Sequence, residues 1–171
     1  MESFIEQVAP YYHRYIQLVP EQDVLKYLQN NLNESMRFLS SISEEKSLYA
    51  YAPGKWTIKE VLGHMIDTER VFAYRAMRIA RNDKTNLPGF EQDDYVASAN
   101  FNQTKWADLL QQFRNLRKAT IDLFASFDEQ AIQREGSANN APTNVKALMF
   151  ITAGHEIHHV NVLKELYLKL S

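Results

Sequence analysis

From Pro20 to the C-terminus the apolar residues of this chain recur three and four positions apart, which is the period of a helix packed on one face. All five prolines and most of the five glycines fall between the periodic stretches. The pattern predicts an all-α fold. A first long helix begins after Pro20 and carries Val24, Leu25, Leu28, Leu32, Met36 and Leu39 to about Ile42. Pro53 and Gly54 break the pattern. Thr57 and Glu60, at capping-box spacing, then start a second helix that runs through Val61, Leu62, Met65, Ile66, Phe72 and Met77 to about Arg81. Thr104 is expected to cap a third helix carrying Trp106, Leu109, Phe113, Ile121 and Phe124, and Thr143 to begin a fourth that ends near Leu170. Residues 82–103 read as a long crossover with one short helical turn near Asp93–Ala99, and a loop of that length in a small domain is often functional. Four long helices with one extended connection make a four-helix bundle, and 171 residues suffice for one such domain, residues 1–171.

The charge pattern narrows the partners. Nineteen basic and 21 acidic residues are spread along the chain, so there is no basic block to hold phosphates, and nucleic acid is not expected. The first residues, MESFIEQVAPYYHRYIQL, have neither the apolar run of a signal peptide nor the length of a membrane span, which makes a cytoplasmic protein without membrane attachment the expectation. The absence of cysteine excludes disulfides, thiolate ligands and a cysteine nucleophile. Any metal must be held by nitrogen and oxygen.

Three of the five histidines stand together in AGHEIHHVNV, residues 153–162. At 100° per residue, the stripe defined by Val145, Leu148, Met149, Leu163, Leu166 and Leu170 places Glu156 and His159 near its centre and His155 at its edge. His158 falls about 100° away, toward solvent. His155 and His159, four apart, are neighbours on one helix face and can share a metal through one ring nitrogen each. His64, in KEVLGHMIDTE of the second helix, is the candidate third ligand; three histidines leave open positions, as catalytic rather than structural metal sites do. His13 is expected to be structural or exposed.

HEIHH also matches the H-E-x-x-H zinc-protease signature. Only twelve residues follow His159, none of them histidine, and Glu165 lies on the same helix where it cannot fold back onto the metal. A di-iron bundle requires a second Glu-x-x-His, yet residue 61, three before His64, is valine.

GKWTIKEVLGHMIDTE, then LPGFEQDDYV, then HEIHHVNVLKELYL resembles the DinB-like superfamily, including its YfiT-type members, over residues 25–170 or so. The resemblance implies a bundle running up-up-down-down, with metal held by one histidine of the second helix and a pair four apart on the last. Those positions are His64, His155 and His159. It further implies activities that include bacillithiol- and mycothiol-dependent transfer, thiol-dependent isomerisation and hydrolysis.

A divalent site of this kind, with nickel, zinc or manganese, prepares water or a thiol for attack on a small electrophilic substrate. With no cysteine in the chain, a thiol has to come from a co-substrate such as bacillithiol. Glu156 reads as a general base or as support for a ligating imidazole, and equally as a partner for a buried arginine or tyrosine. Asp67 either orients His64 or pairs with Arg70. Glu91, Asp93, Asp94, Phe90 and Tyr95 form either a pocket rim or ordinary crossover structure, the second being favoured, and Trp56 reads as a core anchor. A homodimer is plausible for such a bundle. The contrasting reading is a bundle whose metal is structural or vestigial and whose role is binding.

Overall fold

The computed structural model describes residues 2–170. In chain order its elements are α1 (Glu2–Ile5), a 3-10 turn at Pro10–Tyr12, α2 (His13–Ile16), α3 (Val24–Ser40), α4 (Glu44–Ser47), α5 (Ile58–Ala80), β1 (Asn86–Leu87) and α6 (Gln92–Ala99). There follow a 3-10 turn at Phe101–Gln103, α7 (Trp106–Ala125), α8 (Glu129–Ile132), β2 (Glu135–Ala138), β3 (Ala141–Asn144), and α9 (Val145–Val162), which runs on into a π turn at Leu163–Tyr167. The long helices α3, α5, α7 and α9 form the bundle. Among the described residues no helix is long and apolar enough to cross a membrane.

Local chemistry explains where the helices begin. Glu60 N donates to Thr57 Oγ1 at 3.1 Å while Thr57 N donates to Glu60 Oε2 at 2.7 Å, the capping box that opens α5. Asp23 caps α3 by accepting from Lys26 N. The other two starts differ from expectation. Thr104 has extended backbone before α7 and makes no side-chain cap; instead Trp106 N donates at 2.7 Å to Glu44 Oε2, a carboxylate from another element doing the work of a local cap. Asn144, not Thr143, caps α9 through Ala147 N at 2.7 Å; it is the last residue of β3, so the strand passes directly into the helix and Thr143, paired with Gly136, lies one residue too early.

Contacts between helix ends set their directions. Trp106 Nε1, at the start of α7, donates to Leu39 O near the end of α3, and Lys59 Nζ, at the start of α5, donates to Thr104 O. Tyr167 Oη, just beyond α9, donates to Trp56 O just before α5. So α3 and α9 end where α5 and α7 begin, and the order along the chain is up-down-down-up rather than up-up-down-down. The linker 41–57 is short and folded, with α4 packed against α5 and α7, which makes α3 and α5 antiparallel; the crossover 81–105 then returns the chain to the same end.

The helices carry a small three-stranded sheet that an all-α reading omits. β2 and β3 form an antiparallel hairpin across Asn139 and Asn140, both left-handed at φ 52° and 58°, and β1 joins β2 in parallel. Two consecutive residues at positive φ define the turn whose twist suits a two-residue hairpin, and asparagine tolerates that region.

The core has two apolar halves. One contains Leu28, Phe72, Ile79, Phe124, Leu148 and Phe150; the other contains Leu39, Ile58, Leu62, Trp106, Phe113 and Leu163. Between them lies a buried polar belt of His64, Thr68, Glu69, Arg117, His155 and Glu156. The N-terminal segment covers the belt on one side. It approaches α9 so closely that a Cβ on Gly154 would lie 1.9 Å from Tyr15 O, a contact that only glycine permits.

Gly154→Ala sets a helix-propensity gain of about 1 kcal/mol against a backbone clash that costs about 1–3 kcal/mol or more when a packed interface must move. The clash wins because the obstacle is main chain. A melting temperature several degrees below wild type is expected in differential scanning calorimetry; an unchanged or raised value would show that α2 does not pack as described.

Candidate metal centre

α5 and α9 face each other across the belt, and each supplies part of one nitrogen cluster. His64 Nε2 and His159 Nε2 both lie 3.1 Å from His155 Nε2, and the three donor atoms fall within 4.8 Å of one another. His64 Nδ1 is 3.4 Å from Thr68 Oγ1. His155 meets Tyr15 and Phe72 edge-on, with ring centroids at 5.4 and 5.9 Å, and the Trp56 ring lies 4.8 Å from that of His64. The imidazoles are thus oriented by aromatic walls.

Burial pushes all three rings toward the neutral form: His64 to about 4, His155 well below the ordinary range, and His159 lower than His64, with neighbouring histidines adding to the effect. A neutral imidazole has one N–H, so protons alone cannot satisfy two ring nitrogens that both crowd a third. A single divalent cation can, and nitrogens bound tetrahedrally at about 2.0–2.1 Å stand about 3.3 Å apart, close to the 3.1 Å that separates His155 Nε2 from each of the other two. The donor set fits a divalent cation bound through nitrogen, with room for further ligands.

His155 is more deeply buried than His159, at 6% exposure against partial burial, although the leucine stripe puts His159 nearer the centre. The reason is α2, which covers the His155 side of α9. The same cover changes His158: expected toward solvent, it is half-buried, with its ring edge-on to Tyr15 at 5.5 Å. His13 donates to or accepts at no metal cluster and instead contacts Val8 O at 3.0 Å.

Glu156, 2% exposed, accepts from Arg117 Nη1 and, at 3.3 Å, from Asn31 Nδ2. Arg117, 1% exposed, also donates to both oxygens of Glu69, through Nε at 2.9 and 3.1 Å and through Nη2 at 2.7 Å. Glu156 therefore has the buried arginine as its partner, and Thr68, Glu69 and Arg117 are the members of the belt that the sequence did not single out. Asp67 pairs with Arg70 at 2.9 Å rather than orienting His64; Thr68 is the neighbour of that ring.

Two cavities flank the histidines. One, about 350 Å³, is walled by Tyr12, Tyr15, Phe72, Phe90, His64 and His155, with Glu91 and Asp93 at its edge. The other, about 340 Å³, is walled by Tyr51, Lys55, Trp56, Tyr167, His158 and His159. Asp93 borders both. Phe90, Glu91 and Asp93 thus belong to the pocket rim, which runs against the favoured structural reading of the crossover, while Tyr95 is exposed and stacks on Phe90. Trp56 is a wall of the site as well as part of the packing at that end of the bundle.

A four-helix bundle with this nitrogen cluster defines a class, and sequence comparison identifies it: residues 27–163 match the family model of the DinB superfamily, to which the chain belongs. A relative from Oceanobacillus iheyensis, whose name proposes that it is a metal-dependent hydrolase, is 21% identical over 142 residues, 82% of this chain and 81% of that one. The solved structure of YfiT from Bacillus subtilis, described as a probable metal-dependent hydrolase with an unusual four-helix bundle topology, superimposes with a TM-score of 0.73. It covers 90% of this chain and 91% of its own at 14% identity, which establishes the shared fold.

Protonation and folding are linked here with a definite sign. The folded-state pKa of His64, about 4, lies below the ordinary 6.5, so the unfolded chain takes up protons that the folded site refuses. That stability is fully present above about pH 6.5 and falls as pH drops toward 4. For the metal-free protein, denaturant midpoints measured from pH 7.5 to 4 should fall steadily; a profile flat below 6.5 would mean that the rings are protonated in the folded state.

Proposed function

We propose that this protein is a metal-dependent enzyme in which His64, His155 and His159 hold one divalent cation, nickel, zinc or manganese, for attack of a nucleophile on a small electrophilic substrate. The observation that carries the reading is the convergence of three ring nitrogens, those of His64 and His155 buried and that of His159 partly so, between two cavities. When bound, the cation lowers the pKa of a nucleophile and polarises an electrophile. The remaining work belongs to the chain. Burial keeps the imidazole lone pairs free of protons across the neutral range. Tyr15, Phe72 and Trp56 hold the rings in place.

A cavity on each side of the histidines favours transfer between two organic molecules, because water as a nucleophile needs no pocket of its own. In such a transfer a low-molecular-weight thiol, bacillithiol or a similar one, loses its proton and its sulfur bonds to the electrophilic carbon. The leaving group departs with the bonding electron pair and takes up a proton. The names of the related proteins point to hydrolysis, and with water as nucleophile the same ligands serve. We assign Glu156 a positioning role, since both its oxygens are held by Arg117 and Asn31.

Elemental analysis of purified protein should find about one divalent metal per chain, lost in His155→Ala and kept in His158→Ala. Equal losses would overturn the ligand assignment. Turnover of a chromogenic electrophile such as a chlorodinitrobenzene should require both metal and bacillithiol; turnover of an ester by the metal-loaded protein without thiol would make it a hydrolase instead.

A further inference from the structure

The buried belt holds one guanidinium and two carboxylates with no second cation. Arg117, Glu69 and Glu156 are 1%, 4% and 2% exposed, and the structure pairs both carboxylates with the same arginine. The formal sum is one excess negative charge in the middle of the bundle. A buried charge without a partner is expensive, which makes an excess carboxylate here a question that packing does not answer. Nothing on α3 supplies the cation: Asn31, the α3 group that reaches Glu156, is a neutral amide. Of the two buried cations of α5, Lys59 is occupied at the bundle end by Glu44 and Thr104, and Arg75, 3% exposed, donates to Pro88 O rather than to either carboxylate.

The network sits against the histidine cluster. Glu69, Arg117, Glu156 and His155 line one enclosed space that does not admit a water, so solvent does not screen one from the other. Glu156 follows His155 directly on α9, and Glu69 lies five residues, about 7.5 Å of helix rise, beyond His64 on α5. The cluster itself brings no negative charge, because its three donors are neutral imidazoles. A divalent cation there would stand in a low-dielectric interior with no charged ligand.

Resting on the metal reading above, we infer that the excess carboxylate of the Glu69–Arg117–Glu156 network is the counter-charge of the metal centre, a fixed negative charge set behind neutral ligands to raise their affinity for a dication. Arg117 fixes where that charge lies by holding one carboxylate from each of the two ligand-bearing helices. Glu69 and Glu156 are positioning residues in this scheme: they touch no metal and act through the field and through the ring of His155. The arrangement predicts opposite signs for two measurements. Without metal the excess charge is a burden on the fold; with metal it is an asset.

Glu156→Gln tests this. The amide oxygen still accepts from Arg117, the Asn31 amide can turn over to accept from the new NH₂, and a neutral Glu69–Arg117 pair remains. Wild type and variant, stripped with a chelator, are titrated with zinc alone against a competing chromophoric chelator, and their melting temperatures are recorded metal-free and zinc-loaded. The expected result is zinc affinity lower by tenfold or more, in the range seen for groups that support metal ligands, with a metal-free melting temperature equal to or above wild type. Glu69→Gln removes the same charge from the other helix and gives the same pattern if Glu156→Gln folds poorly. Zinc affinity within about twofold of wild type in both variants overturns the inference. So does a fall in metal-free melting temperature that accounts for the loss of affinity, which marks a packing role. Loss of turnover at unchanged zinc affinity overturns it too, in favour of proton transfer by Glu156. Wild type that binds no zinc, nickel or manganese overturns both this inference and the metal reading, whereas normal wild-type binding with unaffected variants overturns this inference alone.

Discussion

Arg117 is the pin on which the middle of the bundle turns. From α7 it reaches Glu69 on α5 and Glu156 on α9, and Glu156 in turn accepts from Asn31 on α3, so one guanidinium ties the four long helices together at a single level. Removing such charges from water costs several kcal/mol per ion, and hydrogen bonds to both carboxylates offset that cost only if the geometry is met. The consequence for the site is register. With Glu69 and Glu156 held to one group, α5 and α9 cannot slide past each other, and His64 meets His155 at hydrogen-bond distance, as His159 does from its own helix.

The apolar halves of the core on either side of the belt are stabilised by ordinary burial, and Phe72 from one and Phe113 from the other pack against the belt itself. What closes the middle is borrowed from outside the four helices. The N-terminal segment brings Tyr15 over His155 and His158, with Gly154 giving it room, and the crossover brings Phe90, Glu91 and Asp93 to the mouth of the cavity beside His64. The bundle therefore supplies the clustered histidines, and the connections supply much of the cavity wall beside them. Connections change more readily than packed helices, so the cavity walls can vary while the histidine cluster stays in place.

Much was legible in advance. The long helices followed from the apolar period, the start of α5 from Thr57 and Glu60, and the short helix of the crossover from its turn residues, because these are interactions between residues close in the chain. The meeting of His155 and His159 on one helix face followed from spacing for the same reason. Readings failed where a distant residue took over a local job. Glu44 caps α7 in place of Thr104, Thr68 rather than Asp67 stands at His64, and α2 turns His158 from a surface group into a pocket wall. The hairpin at Asn139 and Asn140 was the exception, a local signal present in the paired asparagines and passed over as linker.

Taken alone, the sequence determined which segments are helical and which histidines share a face, because both depend on a repeat of 3.6 residues and on nothing farther away. Family resemblance named His64 as well, but its ring nitrogen meets the other two only because α5 and α9 run antiparallel at a level set by Arg117. Helix directions, the burial of Glu69 and Glu156 around that arginine, and the two cavities were decided by tertiary structure alone. They depend on contacts between residues 39 to 125 positions apart, whose pairing no local period encodes.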